Sequence, residues 1–528
     1  MKPTMPTIPA AVPATIPQML DQSAELFDSH AAIEDDGTRI SYTELRTAVR
    51  RAAKALIADG VVPGDRVAVW APNLPEWIIA ALAIQTAGAV LVPVNTRMKG
   101  REVAFVLETS GARLLLCVGD FLGAYYPDML EGLLPPAVAR VVVLRGARDG
   151  ACHWRDFLAS GAAVTDGDLD ARAAAVTADS LSDMMFTSGT TGNPKGVLSA
   201  HGQNLRAVAA WSHAMALTPA DRYLIINPFF HAFGYKAGWL AALMHGCTIL
   251  VDQVFDAGAV LERVARERVS VLPGPPTIFH SLLAHPGLAA TDLSSLRATI
   301  TGSTTIPPAL IERMRRELGF AIVLTGYGLT ESCGFATLCR ADDDAATVAA
   351  TSGRAMPGIE LAVVDGEGKA LAAGEPGEIV LRGYNVMRGY FNDEDATRAA
   401  IDGDGWLHTG DVGVLDERGY LRITDRMKDM YIVGGFNCYP AEVEKLMLRH
   451  ESVAQVAVVG MPDERLGETG CAYVVLRAGA RLGGHELLSW CRANMANYKV
   501  PRQVHFVDSL PVNASGKVLK RELRALAP

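Results

Sequence analysis

Met185-Phe-Thr-Ser-Gly-Thr-Thr-Gly-Asn-Pro-Lys-Gly-Val197 runs from an apolar segment straight into a loop carrying hydroxyls, three glycines and a lysine. Glycines let backbone N–H groups turn inward on an anion without obstruction from a Cβ. Thr187, Ser188, Thr190 and Thr191 add hydroxyls, Gly189 and Gly192 add close backbone approach, and Lys195 adds positive charge. The composition predicts a triphosphate-binding loop after a strand. It is not the GxxxxGK[ST] loop, because Lys195 follows Pro194 and precedes Gly196. A Ser/Thr/Gly-rich surface linker would explain this stretch taken alone, but not the motifs that come after it.

Those motifs are Thr325-Gly-Tyr-Gly-Leu-Thr-Glu-Ser332 and Leu510-Pro-Val-Asn-Ala-Ser-Gly-Lys517, with Trp406-Leu-His-Thr-Gly-Asp411 and Asp425-Arg-Met-Lys-Asp429 between them. As an ordered set they resemble the adenylate-forming superfamily: acyl-CoA synthetases, peptide-synthetase adenylation domains and beetle luciferases. The likeness runs from about residue 24 to 523 and is nearest to the fatty-acyl-CoA ligase-like branch. Any one motif alone would be weak evidence.

At 528 residues the chain exceeds what one hydrophobic core supports, so several folding units are expected. Short apolar runs alternate with helical patterns: 66–70, a helix through 77–85, 90–94, then 141–144, 184–186, 223–226, 248–251, 269–272, 298–300 and 322–324. This is the pattern of an α/β fold whose strands are covered on both faces. The Thr187–Gly192 loop, Pro228-Phe-Phe-His-Ala-Phe-Gly234, Thr301-Gly-Ser-Thr304 and the turn at 326–332 each follow such a run. Open α/β sheets bind ligands at the carboxyl ends of their strands, so these segments should meet in one crevice.

Past Gly353 the texture becomes strands and Gly/Pro/Asp turns, predicting a β-rich subdomain over 353–426 within a large N-terminal domain, 19–426, of stacked α/β subdomains. Residues 427–528 have a compact α+β pattern of their own, with a helix from Pro440, a strand at 453–459 and a helix at 487–495. The resemblance implies that this small C-terminal domain is mobile about a hinge at Lys428. Residues 1–18, rich in Pro, Ala and Thr, read as a loose arm. The chain ends eleven residues after Lys517, so a free-standing enzyme is expected rather than a peptide-synthetase module.

Net charge is −9 with Lys and Arg scattered, which argues against nucleic acid as a partner. No apolar segment reaches the roughly 18 residues that span a bilayer, so no integral membrane association is expected. The eight cysteines form no CxxC pair and no zinc-spaced cluster. They read as reduced, buried thiols in a cytoplasmic protein.

For the chemistry, the resemblance implies ATP, Mg2+ and CoA. Glu331 would hold the metal, Thr330 would offer its hydroxyl to the α-phosphate, and Tyr327 would present its ring to adenine beside Gly326 and Gly328. Gly302 and Ser303 would complete the nucleotide site, Asp411 would accept both ribose hydroxyls, and Arg426 would accompany it. Lys517 would hold the substrate carboxylate against the α-phosphate and stabilise the transition state; an ionised carboxylate needs no general base. Gly434, Gly435 and Phe436 would line the pantetheine tunnel, and Gly434 stands where luciferases carry a lysine.

His231 and Phe233, with Gly234, would gate the acyl pocket; a core histidine among aromatics explains His231 equally well. The pocket segments are apolar and lack the aspartate that amino-acid-activating relatives place near Trp239, so an apolar acid fits best. Lys236 is the exception, and is expected to snorkel to solvent or meet a distal carbonyl. The expected activity is an AMP-forming acid:CoA ligase for a fatty or ring-bearing acid. Its partners would be the acid and CoA, with room for a homodimer. The alternatives are an enzyme that loads an acyl carrier protein and a regulatory protein that keeps the fold without the chemistry. Val271-Leu-Pro-Gly-Pro-Pro276 and Thr301-Gly-Ser-Thr-Thr305 faintly resemble ligases for the bicyclic propanoate of sterol-ring breakdown.

Overall fold

The structure is a computed structural model that describes residues 12–187, 194–302, 306–426, 429–433, 436–438, 440–463, 466–495, 497–512 and 518–526. The expected α/β architecture is present. One sheet has the spatial order Gly389–Tyr390, Lys195–Ala200, Leu181–Thr187, Val90–Pro93, Arg66–Trp70, Leu114–Cys117, Arg140–Val143 and Cys152–His153. Its strands pair in parallel from Leu181–Thr187 to Cys152–His153, while the two on the other flank run antiparallel. The central strands Val90–Pro93 and Leu114–Cys117 are buried at every position, as strands covered on both faces must be.

A second sheet joins Arg222–Ile225, Thr248–Val251, Ala31–Asp35 and Thr38–Ser41. Val271 bridges both Tyr223 and Ala298, which extends it to the parallel pair Ala298–Ile300 and Ile322–Leu324. The run expected as a strand at 269–272 is therefore a single bridging residue. Next to the first sheet lies the helix Pro75–Thr86, in which every residue but Glu76 is buried. Trp77-Ile-Ile-Ala-Ala-Leu-Ala-Ile84 is apolar around its whole circumference, the signature of a helix with no solvent face. Trp77 packs edge-on against Phe229 at 5.6 Å and Trp239 at 6.0 Å, which fixes the 229–239 segment over this helix.

Past residue 353 the expected β-rich unit is an antiparallel sheet of Ile359–Val364, Gly377–Gly383, Leu407–Leu415 and Leu421–Arg426. The C-terminal part builds a further sheet around the long pair Val453–Asp463 and Gly467–Leu476. Its core, with Tyr431, Val443, Met447, Val458, Leu487 and Cys491, is a cluster separate from the main one. At the other end the helix Ile16–Phe27 begins inside the stretch expected as a loose arm. The Thr15 hydroxyl caps it, Ile16 is fully buried, and the Ile16 N–H bonds His201 Nδ1 at 3.3 Å. No cysteine is paired, and all but Cys152 are buried; burial pushes the Cys117 thiol up to about 12. Among the described residues no helix is long and apolar enough to cross a membrane.

Lys236 departs from both expectations for it. It has no exposed surface, lies in the π-helical turn Tyr235–Leu240, and pairs with the equally buried Asp183 at 3.3 Å. Its ammonium also donates to Ser199 Oγ at 3.3 Å. Asp183 Oδ2 accepts hydrogen bonds from Ser182 Oγ at 2.8 Å and from Asn204 Nδ2, whereas among the described residues Oδ1 meets the ammonium alone, off the axis of a hydrogen bond. The sequence hid this partner because Asp183 lies 53 positions earlier, in the strand Leu181–Thr187. Breaking such a pair strands a charge in a low-dielectric interior. Lys236→Met should cost about 3–5 kcal/mol of unfolding free energy in urea, and adding Asp183→Asn should recover part of that loss.

Candidate active site

The turn over residues 326–334 is the hub of the site. Gly326–Tyr327 pairs with Thr337–Leu338, and the chain between them doubles back so tightly that a Cβ on Gly328 would lie 2.1 Å from the Gly334 carbonyl oxygen. Gly334 has φ +90°, and Cys333 before it is also left-handed at φ 55°. Within the fold, Thr330–Ser332 forms one 3-10 turn, whose start is held by Ser332 Oγ accepting the Leu329 N–H at 2.9 Å. Thr330 and Glu331 are thus presented on a short rigid arch.

Each of the other segments reaches this arch. Gly302 follows Ala298–Ile300, and a Cβ there would stand 3.7 Å from the Gly326 oxygen. Tyr327 donates its hydroxyl to Asp411 Oδ2 at 2.6 Å. Asp411 is buried in Leu407–Leu415, its backbone opposite Arg426 across the ladder, and its N–H bonds Thr409 Oγ1 at 3.1 Å. Glu331 Oε1 accepts the Tyr390 hydroxyl at 3.0 Å, while its main-chain oxygen accepts the Met387 N–H at 2.8 Å. Lys195 opens the strand Lys195–Ala200 opposite Thr187; its ammonium lies 4.9 Å from the centre of the Tyr390 ring and 3.8 Å from Asp393 Oδ2.

Ala232 Cβ would stand 3.0 Å from a Cβ on Gly334, so the 228–234 turn abuts the arch. His231 caps that turn, its Nδ1 accepting the Phe233 N–H at 3.2 Å. His231 is exposed, and the partial desolvation of its ring acts to lower its pKa. Phe233 is half-buried, and Gly234 is required as glycine because a Cβ would lie 2.2 Å from the Pro228 oxygen.

Three contributors went unread in the sequence. Asn73 pins the 225–229 segment, donating to the Ile225 and Asn227 oxygens at 3.2 and 3.1 Å and accepting the Phe229 N–H at 2.8 Å. Tyr390 joins Lys195 to Glu331 from the two-residue strand Gly389–Tyr390, too short to read from sequence pattern. Glu378 holds the approach to Asp411: Oε1 accepts the Gly410 N–H at 3.0 Å and Oε2 contacts His408 Nδ1 at 2.9 Å. Ser188, Gly189, Thr190, Thr191, Gly192, Ser303, Lys428, Gly434, Gly435 and Lys517 lie outside the described residues, as do the side chains of Arg426 and Phe436. A surface recess of about 570 Å³ lined by Leu261, Arg266, His285 and Asp292 shares no residue with these motifs.

The described residues contain no cluster of three metal-ligating side chains. Glu331 instead offers Oε2, which no described residue bonds, while Oε1 takes the hydroxyl of Tyr390, whose ring faces the Lys195 ammonium. A single carboxylate with phosphate oxygens and retained waters suits Mg2+ better than a closed protein cage would.

His408 lies between two carboxylates, with Nε2 3.6 Å from Asp402 Oδ2. The hydrogen bond to Glu378, with help from Asp402, raises its pKa. A raised folded-state value stabilises the protein below the unfolded value of about 6.5 and ceases to do so as pH rises through the folded value. His408→Gln should therefore lower the melting temperature more at pH 5.5 than at pH 9; an equal loss at both would show that the ring is held neutral.

Residues 20–391 match the family described as AMP-binding enzyme, and residues 442–517 match the AMP-binding enzyme C-terminal domain. A 3-[(3aS,4S,7aS)-7a-methyl-1,5-dioxo-octahydro-1H-inden-4-yl]propanoyl:CoA ligase of Rhodococcus jostii (strain RHA1) is 50% identical, covering 97% of this chain and 98% of its own. A ligase of the same description from Mycobacterium tuberculosis is 51% identical, covering 97% and 99%. Among solved structures, the anthranilate CoA ligase AuaEII bound to anthranoyl-AMP superposes with TM-score 0.88 at 27% identity, covering 98% of this chain and 97% of its own. The ATP-bound MatB of Rhodopseudomonas palustris gives 0.84 at 30%, covering 96% and 98%. The arch at 326–334 and the segments that meet on it thus belong to an AMP-binding enzyme of the acyl-CoA ligase branch, and the chain is an ATP-dependent acid:CoA ligase.

Proposed function

We propose that this ligase activates the ring-fused propanoate named for its relatives, 3-[(3aS,4S,7aS)-7a-methyl-1,5-dioxo-octahydro-1H-inden-4-yl]propanoate, and transfers it to CoA. The observation that carries this reading is identity of 50 and 51% along 97% of the chain with two ligases of that name. The acyl side agrees with it in kind: Ala232, Phe233 and Gly334 offer a small, apolar wall without a fixed charge, and Lys236 is withdrawn into its pair with Asp183.

In the first half-reaction a carboxylate oxygen of the acid attacks the α-phosphorus of ATP, and the bond to the bridging oxygen breaks to release pyrophosphate. Thr187, Ser188, Gly189, Thr190, Thr191, Gly192 and Lys195 cradle the phosphates. Thr330 donates to the α-phosphate, and Lys517 draws the carboxylate against it. Losing such a transition-state donor typically costs about 3–4 kcal/mol. Glu331 would hold Mg2+, which supplies charge neutralisation between phosphates when bound. Tyr327 and Asp411, already joined by a hydrogen bond, receive adenine and ribose, with Gly302, Ser303, Gly326, Gly328 and Arg426 around them.

In the second half-reaction the CoA sulfur attacks the acyl carbonyl, its proton is lost, and AMP leaves. Rotation of 427–528 about Lys428 brings Gly434, Gly435 and Phe436 to line the pantetheine arm. His231 stands at the mouth of the acyl side as a gate, with desolvation of its ring lowering its pKa. Eight cysteines outside any disulfide suit a reducing cytoplasm, and a net charge of −9 suits small-molecule partners rather than nucleic acid. A homodimer is compatible with this reading.

The test is CoA-thioester formation with MgATP across fatty, aromatic and ring-fused propanoic acids. The ring-fused acid should exceed a straight-chain acid of equal carbon number by roughly a hundredfold in kcat/KM, within the range that apolar pockets achieve. A higher kcat/KM for fatty acids would reject the substrate while leaving the ligase intact.

A further inference from the structure

Tyr390 touches both charged groups that converge on the triphosphate, and neither the motifs nor the relatives' names give it a role. Its hydroxyl donates to Glu331 Oε1 at 3.0 Å, and its ring centre lies 4.9 Å from the Lys195 ammonium. Its place is set by backbone. Tyr390 pairs with Val197 across the ladder, the Phe391 N–H bonds the Gly196 oxygen at 2.8 Å, and the Met387 N–H bonds the Glu331 oxygen at 2.8 Å. The Tyr390 N–H bonds Thr397 Oγ1 at 2.9 Å. One short segment therefore clasps the lysine strand and the glutamate arch together.

A lysine and a glutamate brought to one anion site can quench each other. Direct pairing would cost the phosphates a cation and a metal its ligand. A phenol between them satisfies each differently, the hydroxyl giving a charge-assisted hydrogen bond to the carboxylate and the ring face attracting the ammonium. We propose that Tyr390 is a positioning residue for adenylation. It holds Glu331 by Oε1 so that Oε2 faces the metal position, and it keeps Lys195 from neutralising that carboxylate. The proposal rests on the reading of Glu331 as a metal ligand.

The test is Mn2+ binding, followed by electron paramagnetic resonance, to the full chain carrying a non-hydrolysable ATP analogue. Tyr390→Phe keeps the ring and the backbone clasp and removes only the hydroxyl. It should weaken Mn2+ about tenfold, the worth of one hydrogen bond to a charged group, while the KM for ATP and the melting temperature stay near wild type. Tyr390→Leu should raise the KM for ATP as well, because Lys195 loses the ring. In a Glu331→Gln background the hydroxyl should no longer matter. Wild-type Mn2+ affinity in Tyr390→Phe, with Glu331→Gln weakened, would overturn the role of Tyr390 alone. Unchanged affinity in Glu331→Gln would overturn it together with the metal-ligand reading. Equal loss of Mn2+ affinity and melting temperature in Tyr390→Phe, undiminished in the Glu331→Gln background, would also overturn it by making the tyrosine merely structural.

Discussion

The approach of Gly328 to the Gly334 carbonyl is the constraint from which the site follows. With 2.1 Å between that oxygen and where a Cβ would stand, only a chain without side chains there can close the arch. Closing it puts Thr330 and Glu331 on a 3-10 turn, sends Tyr327 toward Asp411, and leaves Gly334 against Ala232. Tyr327, Thr330, Glu331 and Gly334 are thereby referred to one short stretch of backbone. Misplacement of about 1 Å can cost a hundredfold in rate, so such rigidity has direct kinetic meaning.

Electrostatics complete the arrangement. Joining a carboxylate to a triphosphate requires cations and N–H donors directed at the anions before they arrive. The fold keeps its positive groups from being consumed prematurely. Lys195 leans on a ring and on Asp393 at the long distance of 3.8 Å, whereas Lys236, whose charge would disturb an apolar pocket, is retired into a buried pair with Asp183. That pair also ties the Tyr235–Leu240 turn to the strand Leu181–Thr187, joining residues 53 positions apart in sequence.

Much of this was legible in the sequence, for identifiable reasons. Apolar runs such as 66–70, 248–251 and 298–300 became strands because strands covered on both faces leave a continuous apolar signature. The convergence of the 326–332 turn with the 228–234 turn followed from where the motifs sit relative to strand ends, whereas Asp411 was brought to the site by the family resemblance alone. The missing parts depend on partners distant in the chain. Lys236 looked free because Asp183 is not its neighbour in sequence, Asn73 acts through three main-chain groups of a turn over 150 residues away, and the strand at Gly389–Tyr390 is too short to announce itself. The helix from Ile16 was lost to Pro and Ala composition, although Thr15 before Ile16-Pro17 is an N-cap signal.

The central claim is that this cleft joins a carboxylate to the adenylyl group before CoA enters. The most direct measurement is mass spectrometry of the quenched protein after incubation with MgATP and the ring-fused propanoate in the absence of CoA. The account predicts a stoichiometric acyl-adenylate with matching pyrophosphate, discharged to the thioester and AMP when CoA is added. Thioester formation accompanied by ADP and phosphate, with no acyl-adenylate at any time, would contradict it.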